Sequence, residues 1–153
     1  MNSKLLSSKN QGAATILAFA LIPLSGFATD VYIPSLPTMA KQLQVTDLQV
    51  QLTLGMFLIS YGVAQLFVGS LLDSFGRYKI GLLSLFIFAL ASVVIANTAN
   101  IYLIYTMRIV HGITVGAIVV SKRAFFVDVF SGDKLKNYLS MFSIIWATAP
   151  IIA

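Results

Sequence analysis

Long runs without a charged residue constrain this chain more than any other feature. Residues 10–29, 48–72 and 80–107 contain no Asp, Glu, Lys or Arg, and a further such run starts at residue 137. A helix rises about 1.5 Å per residue, so about 20 apolar residues cross the ~30 Å hydrocarbon core of a bilayer. Only 10% of the residues are charged, whereas a soluble domain has about 25%. The predicted fold class is therefore an all-α membrane protein.

The charge-free runs divide into five predicted membrane-spanning helices. The third run is too long for one crossing, and the turn residues Asn97-Thr98-Ala99-Asn100 divide it. We place the spans at residues 12–36, 48–72, 80–96, 101–121 and 137–153, the last being cut off by the end of the sequence. Pro23 should kink the first span, and Pro34 and Pro37 should bend or end it. A signal peptide is the alternative for the first run, but that run is long and further spans follow.

The flanking cations predict which end of each span is cytoplasmic. With the N-terminus inside, the outer segments contain one cation, Lys41, and Arg108 falls within a span. The inner segments contain Lys4, Lys9, Arg77, Lys79, Lys122, Arg123, Lys134 and Lys136. This excess follows the positive-inside rule and predicts a multi-pass protein of the cell's inner (plasma) membrane with a cytoplasmic N-terminus. The cations form no aromatic-interleaved patch, so nucleic acid is not an expected partner.

Two charged residues fall within or close to the predicted spans. Arg108 lies seven residues into the fourth span, about 10 Å from its outer end, and Asp30 lies at a similar depth if the first helix continues to about Pro37. A charge in a span costs about 2.5–3.5 kcal/mol on insertion scales and usually faces a cavity or a partner. We hypothesise that Asp30 and Arg108 face one polar cavity, as a pair or as sequential proton and substrate contacts. The alternatives are an interfacial Asp30 in water and an Arg108 that snorkels to the outer surface.

His111 is the only histidine in the chain and lies on nearly the same helix face as Arg108. An imidazole beside such an arginine can take part in proton handling. The alternative is a hydrogen-bonding polar side chain without a further role.

Glycines recur at helical spacing in two of the spans. Gly112 and Gly116 lie four residues apart in the fourth span, and Gly55, Gly62 and Gly69 lie seven apart in the second. Small residues at such spacing let helices approach closely in lipid. We therefore predict a helix contact at the first pair and a packing or sliding face along the second set. The alternative is the general abundance of glycine in membrane helices.

A polar turn at residues 69–81 separates the second and third spans. Asp73 lies at a helix C-terminus, where the macrodipole disfavours a negative charge. Arg77, one turn on, or the N-terminus of another helix can compensate this charge, and Asp128 can accept the other side of Arg77. We predict a network that latches the cytoplasmic side shut and opens during a conformational cycle.

Four segments resemble signatures of the major facilitator superfamily. Gly69-x-x-x-Asp73-x-x-Gly76-Arg77-x-Lys79 is similar to its loop 2–3 signature, and Tyr105-x-x-Arg108-x-x-x-Gly112-x-x-x-Gly116 to its helix 4 signature. Residues 29–37, Thr-Asp-Val-Tyr-Ile-Pro-Ser-Leu-Pro, resemble the end of helix 1 in drug:proton antiporters, most closely the Bcr/CflA multidrug exporters. Ala149-Pro150 lies where the antiporter helix 5 signature would begin, so we assign Pro150 to helix packing.

The resemblance implies a twelve-helix transporter of two six-helix halves that cycles by alternating access. This chain would supply its first four to five helices. By position, Asp73, Arg77 and Asp128 match the cytoplasmic gate, together with the Gly69, Gly76 and Lys79 of the same signature. Arg108 matches an arginine tied to proton coupling, and Asp30 an acid tied to proton or substrate binding. Ser74 and Tyr78 depart from the usual basic residues, and His111 departs from the usual Gln.

The preferred interpretation is a secondary transporter that exports drugs or small lipophilic molecules in exchange for protons. Its expected partners are the bilayer, protons, a lipophilic substrate and a missing C-terminal half. No cofactor or metal is expected, and no nucleophile–base set supports an enzyme. The alternatives are a truncated, non-transporting membrane remnant and, within transport, a sugar or metabolite symporter.

Overall fold

The computed structural model describes Thr15, Ile16, Phe19, Ala28 and residues 30–152, and this part of the chain is helical without any strand. A 3₁₀ turn at Ile33–Ser35 leads directly into helix α1 (Leu36–Leu43). The long helices are α2 (Asp47–Phe75), α3 (Arg77–Asn97), α4 (Ile101–Val129) and α5 (Gly132–Ile152). Among the described residues, α2, α3 and α4 are long and apolar enough to cross a membrane. The predicted all-α fold class is confirmed.

The prolines near the end of the first predicted span start helical turns instead of ending them. Pro34 lies inside the 3₁₀ turn and Pro37 in the first turn of α1, which continues to Leu43. Proline is tolerated in a first turn because the missing N–H would have no helical acceptor there. Gln44 then ends α1 in the left-handed conformation, with a φ of 54°. The predicted kink at Pro23 lies outside the described residues.

The long helices extend beyond the charge-free runs that predicted them. α4 continues past the expected end at Ser121, through Lys122 and Arg123, to Val129. α5 starts at Gly132 and not at residue 137, and Asp133 in its first turn suits the positive end of the helix dipole. Charged side chains are compatible with a helix, so a helix can continue past the point where its apolar run ends.

Side-chain caps determine where α2 and α4 begin. The Thr46 hydroxyl accepts a hydrogen bond from the Gln49 N–H at 3.3 Å, and the Gln49 side chain accepts one from the Thr46 N–H at 3.0 Å. The Asn100 side chain accepts from the Tyr102 N–H at 2.9 Å and caps α4 in the same way. Each cap satisfies backbone donors that have no partner inside the first helical turn.

A single residue, Gly76, separates α2 from α3. Its φ of +90° lies in a region that side-chain-bearing residues rarely adopt. The polar turn predicted at residues 69–81 is therefore two helix ends joined at one glycine, with Asp73 in the last turn of α2 and Arg77 in the first turn of α3.

Helices α2 and α4 approach most closely at two glycines of α4. A Cβ on Gly112 would collide with the Ser60 side chain and the Phe57 carbonyl oxygen, and would lie 2.8 Å from the Tyr61 nitrogen. A Cβ on Gly116 would lie 3.1 Å from the Ala64 Cβ. The expected close helix contact at these two glycines is present.

The three glycines of α2 take no part in this contact. A Cβ on Gly55, Gly62 or Gly69 would meet nothing within 4 Å in the described part of the chain. The buried residues of α2 are Val50, Thr53, Phe57, Ser60, Ala64, Val68 and Leu72. The stripe therefore makes no close contact among the described residues, where α2 buries a neighbouring face, and its role as a packing or sliding face stays a prediction.

An aromatic cluster joins the C-terminal end of α4 to α5. Phe126 is fully buried at its centre. The ring centroids of Phe19 and Tyr138 lie 5.1 and 5.9 Å from that of Phe126. Phe19 precedes α1, so the cluster also ties the beginning of the chain to the end of α4.

Candidate functional site

Arg108 is a buried cation inside the helix α4. Arg108 is only 4% exposed. The guanidinium carbon lies 3.1 Å from the centroid of the Tyr32 ring. Nη1 donates to the Ala28 carbonyl oxygen at 3.4 Å. The arginine therefore points toward the segment that precedes α1 and does not snorkel along α4.

The Tyr32 ring is itself attached to α2. The Tyr32 hydroxyl and Thr53 Oγ1 are 2.7 Å apart, and the Thr53 hydroxyl donates to the Val50 carbonyl oxygen at 2.6 Å. Because the single Thr53 proton is used in that bond, the Tyr32 hydroxyl is the donor to Thr53. We call Ala28, Tyr32, Thr53 and Arg108 the Arg108 cluster, in which three parts of the chain meet.

Asp30 is half-buried beside this cluster but is not paired with Arg108. No ion pair joins Arg108 to a carboxylate in the part of the chain that the structure describes. Asp30 nevertheless lies between Ala28 and Tyr32, both of which contact the arginine. The direct pair is therefore absent from this conformation, and the sequential use of the two charges stays a prediction.

His111 lies in the contact between α3 and α4 and not in the Arg108 cluster. Its Nε2 is 3.1 Å from Ser92 Oγ, and its ring stacks on Phe88 with centroids 4.4 Å apart. The Ser92 hydroxyl also donates to the Phe88 carbonyl oxygen at 2.9 Å, so Ser92 links the imidazole to the backbone of α3. The geometry supplies the hydrogen bond of the simpler alternative, and a proton-handling role stays a prediction.

A second group of polar residues surrounds Arg77 at the start of α3. Arg77 Nη2 lies 3.4 Å from Asp73 Oδ1, and Nη1 forms an ion pair with Asp128. Nη1 also donates to the Ala124 carbonyl oxygen at 2.8 Å. We call Asp73, Arg77, Ala124 and Asp128 the Arg77 cluster. The structure thus places Arg77 between the two carboxylates, as the sequence suggested, while the role of a gate stays a prediction.

Ser121 and Gly81 fix the backbone of this cluster. Ser121 Oγ donates to the Arg77 carbonyl oxygen at 2.6 Å. A Cβ on Gly81 would lie 3.1 Å from the same Oγ, so the glycine leaves room for the serine. This contact holds the first turn of α3 against α4, the helix that also provides Ala124 and Asp128.

The ion pairs of the Arg77 cluster are exposed and individually weak. The Asp73 and Asp128 side chains are 72% and 52% exposed, and such surface pairs contribute about 0–1 kcal/mol each. Lys79, predicted with this group, is exposed and forms no ion pair with the described residues. Pro150 lies within α5, and its side chain is outside what the structure describes. A weak, exposed network can break and form again at little cost.

Several residues in these clusters, or next to them on α4, were not singled out from the sequence as site residues. Tyr32, Thr53 and Ser121 carry no charge, and nothing in their spacing predicts their contacts. Lys122 is only 5% exposed, although the sequence predicts an exposed cation at the end of a span. Its spacing does indicate burial, because it continues the three- and four-residue steps of the buried face of α4. That face comprises Ile101, Ile104, Arg108, His111, Val115, Ile118, Lys122 and Phe126.

The sequence is similar to those of a family of transporters. The sequence profile of the Major Facilitator Superfamily matches residues 17–153. An uncharacterized MFS-type transporter of Bacillus subtilis, YdgK, is 36% identical over 147 residues, which cover 96% of this chain and 37% of the relative. The bicyclomycin resistance protein homolog of Haemophilus influenzae is 36% identical over 130 residues, covering 85% of this chain and 33% of the relative.

A third relative is the multidrug resistance protein D of Escherichia coli. It is 28% identical over 138 residues, which cover 90% of this chain and 35% of the relative. The chain thus spans about a third of the length of these relatives.

Proposed function

Since the chain belongs to the Major Facilitator Superfamily, we propose that the natural gene product that carries it exports drugs or small lipophilic molecules in exchange for protons. The chain is part of a multi-pass membrane protein of a transporter family. In the proposal, transport proceeds by alternating access around a central cavity. The N-terminus is in the cytoplasm and the membrane is the inner (plasma) membrane, in agreement with the distribution of Lys and Arg.

The main support for the proposal is the burial of Arg108 within α4. A buried cation in a helix long enough to cross the membrane is costly, and such residues are retained where they serve a polar pathway. In the Arg108 cluster, the cation contacts Ala28 and Tyr32, each of which is two residues from Asp30 in the sequence. A carboxyl group such as that of Asp30 can bind and release a proton. In the proposal, Asp30 exchanges a proton against substrate, and Arg108 is the fixed positive charge that contacts the residues Ala28 and Tyr32 on either side of it.

The substrate class is inferred from the relatives. Two of them are named for resistance to bicyclomycin or to multiple drugs. The mean hydropathy of α2, α3 and α4 is 1.7, 2.3 and 1.7. In the proposal, a transport site that such helices line suits lipophilic molecules better than sugars, which need many hydrogen-bond partners.

Drug resistance tests this proposal. The natural gene product should be produced in a bacterial host that lacks its own exporters, and growth should be measured against a panel of lipophilic cations and neutral drugs. The proposal predicts a raised inhibitory concentration for members of the panel, and loss of that protection when the proton gradient is collapsed. Unchanged sensitivity to the whole panel, with the protein present in the membrane, would contradict it.

The Arg77 cluster gives a separate prediction about the cycle. Arg77→Gln removes two exposed ion pairs and the bond to Ala124, which together change a conformational equilibrium about tenfold. We expect a loss of export of about that size, because the cytoplasmic side no longer closes fully. The measurement is the initial rate of drug export by membrane vesicles.

Lys79→Gln is the matched control for this variant. It removes one positive charge, as Arg77→Gln does, from a position two residues further along the chain. The Lys79 side chain forms no ion pair with the described residues. Its export rate should stay close to that of the unmodified protein. Equal losses in the two variants would show that charge near the membrane surface matters, and not the Arg77 cluster.

A further inference from the structure

The guanidinium of Arg108 is compensated by an aromatic ring instead of a carboxylate. Its carbon lies 3.1 Å from the Tyr32 ring centroid, within the range of a cation–π interaction. Nε has no hydrogen-bond partner among the described residues, and the bond from Nη1 to the Ala28 carbonyl oxygen is long, at 3.4 Å. In a dry environment, the face of the Tyr32 ring is thus the main group that stabilises this charge.

The Tyr32 ring is held at both ends. On the backbone side, Ser35 donates two hydrogen bonds to the Tyr32 carbonyl oxygen, from its N–H at 3.1 Å and from its hydroxyl at 2.6 Å. On the side-chain side, the Tyr32 hydroxyl donates to Thr53, which is fully buried in α2. The ring cannot turn away from Arg108 without breaking its hydrogen bond to the buried Thr53.

We propose that Tyr32 is the positioning residue for Arg108, and that Thr53 holds the Tyr32 ring in place. The ring keeps the guanidinium against the Ala28 carbonyl and away from a direct pair with Asp30. This inference deepens the proposed function and rests on it, since Arg108 is the residue assigned there to proton coupling. It also assigns the Tyr32–Thr53 bond as the contact through which a movement of α2 reaches the arginine.

Transport by single variants gives the first test. Tyr32→Leu should lower the kcat of export about tenfold and change KM much less, because the cation–π contact is lost while the drug site remains. Tyr32→Phe keeps the ring and loses only the bond to Thr53, so we expect a smaller loss. Thr53→Val should match Tyr32→Phe. The control is Tyr78→Leu, a tyrosine that is 81% exposed, which should transport normally.

A double variant separates positioning from a general structural role. If Tyr32 acts through Arg108, then Tyr32→Leu adds no further loss in an Arg108→Lys background. The pair Tyr32→Phe and Thr53→Val should likewise be no worse together than either alone. Losses that multiply in both pairs would overturn the proposal, because they would show that Tyr32 acts independently of the arginine and of the threonine.

A spectroscopic readout tests the contact without transport. The Nε–Hε signal of Arg108 in the ¹⁵N-labelled natural gene product, assigned by its disappearance in Arg108→Lys, should be displaced by the ring current of Tyr32. Tyr32→Leu should return it toward the ordinary arginine position, and Tyr78→Leu should not. An undisplaced signal in the unmodified protein would overturn the proposal even if export is proton-coupled. A displaced signal in a protein that exports nothing would instead contradict the proposed function alone.

Discussion

Gly112→Leu is expected to prevent the protein from accumulating in the membrane. A Cβ at this position already collides with the Phe57 carbonyl oxygen and the Ser60 side chain, and lies 2.8 Å from the Tyr61 nitrogen. Because two of these atoms belong to the backbone of α2, the helices have to separate along their length. Overpacking of a core costs about 1–3 kcal/mol and more where the backbone has to move, against a total stability of about 5–15 kcal/mol.

Two further glycine variants test whether the loss of membrane protein depends on the close contact between α2 and α4. Gly116→Ala should be milder, since its nearest neighbour is the Ala64 Cβ at 3.1 Å, which can shift slightly. Gly62→Leu is the matched control, because a Cβ there meets nothing within 4 Å in the described chain. The measurements are the amount of protein in the membrane fraction and its melting temperature in detergent. A Gly112→Leu protein with the abundance and melting temperature of the unmodified one would contradict the packing described.

Arg108→Lys is expected to reduce proton-coupled export about a hundredfold, or about 2.7 kcal/mol, while the protein still accumulates. Lysine keeps the positive charge but lacks the planar guanidinium that lies on the Tyr32 ring and reaches the Ala28 carbonyl at the same time. The ammonium group is therefore free to move within the cluster, and the fixed charge beside Asp30 is lost.

The measurement for Arg108→Lys is drug-dependent proton movement in everted membrane vesicles. Arg123→Lys provides the control, because it makes the same substitution at an exposed position of the same helix. It should behave like the unmodified protein. If Arg108→Lys also moved protons at the normal rate in response to drug, the role assigned to Arg108 in coupling would be wrong.

The charge-free runs predicted the long helices well, because the lipid environment that favours apolar residues also favours a helical backbone. In lipid every backbone polar group needs an internal partner, so an apolar run of this length becomes a helix. The ends of the helices were harder to predict. The start of α5 at Gly132 and the continuation of α4 to Val129 lie beyond the apolar runs, where helix propensity and charge at the helix ends decide.

Which face of each helix is buried could be predicted only in part. Gly112 and Gly116 share a face with the polar residue Arg108, and that face is buried. α2 is apolar on all sides, so its sequence does not distinguish a face toward a helix from a face toward lipid. The stripe of Gly55, Gly62 and Gly69 could therefore not be distinguished by sequence from the neighbouring face that α2 buries in the described chain.

The Arg77 cluster followed from sequence, while the Arg108 cluster did not. Asp73 and Arg77 lie only four residues apart, on either side of the helix break at Gly76, so their closeness in sequence brings them together. The partner of Arg108 comes from a segment some 80 residues earlier, and it is a tyrosine ring, which charge counting does not reveal. Only the packing of α2 against α4 shows that the ring is closer to the arginine than any carboxylate of the described residues.

The most direct measurement is drug transport by the purified natural gene product in liposomes with an imposed proton gradient. Proton-coupled export predicts that drug moves against the direction of the proton gradient and that its rate depends on the size of that gradient. Arg108→Lys should abolish this dependence, and Arg123→Lys should not. Drug movement that is independent of the proton gradient in the unmodified protein would contradict proton-coupled export.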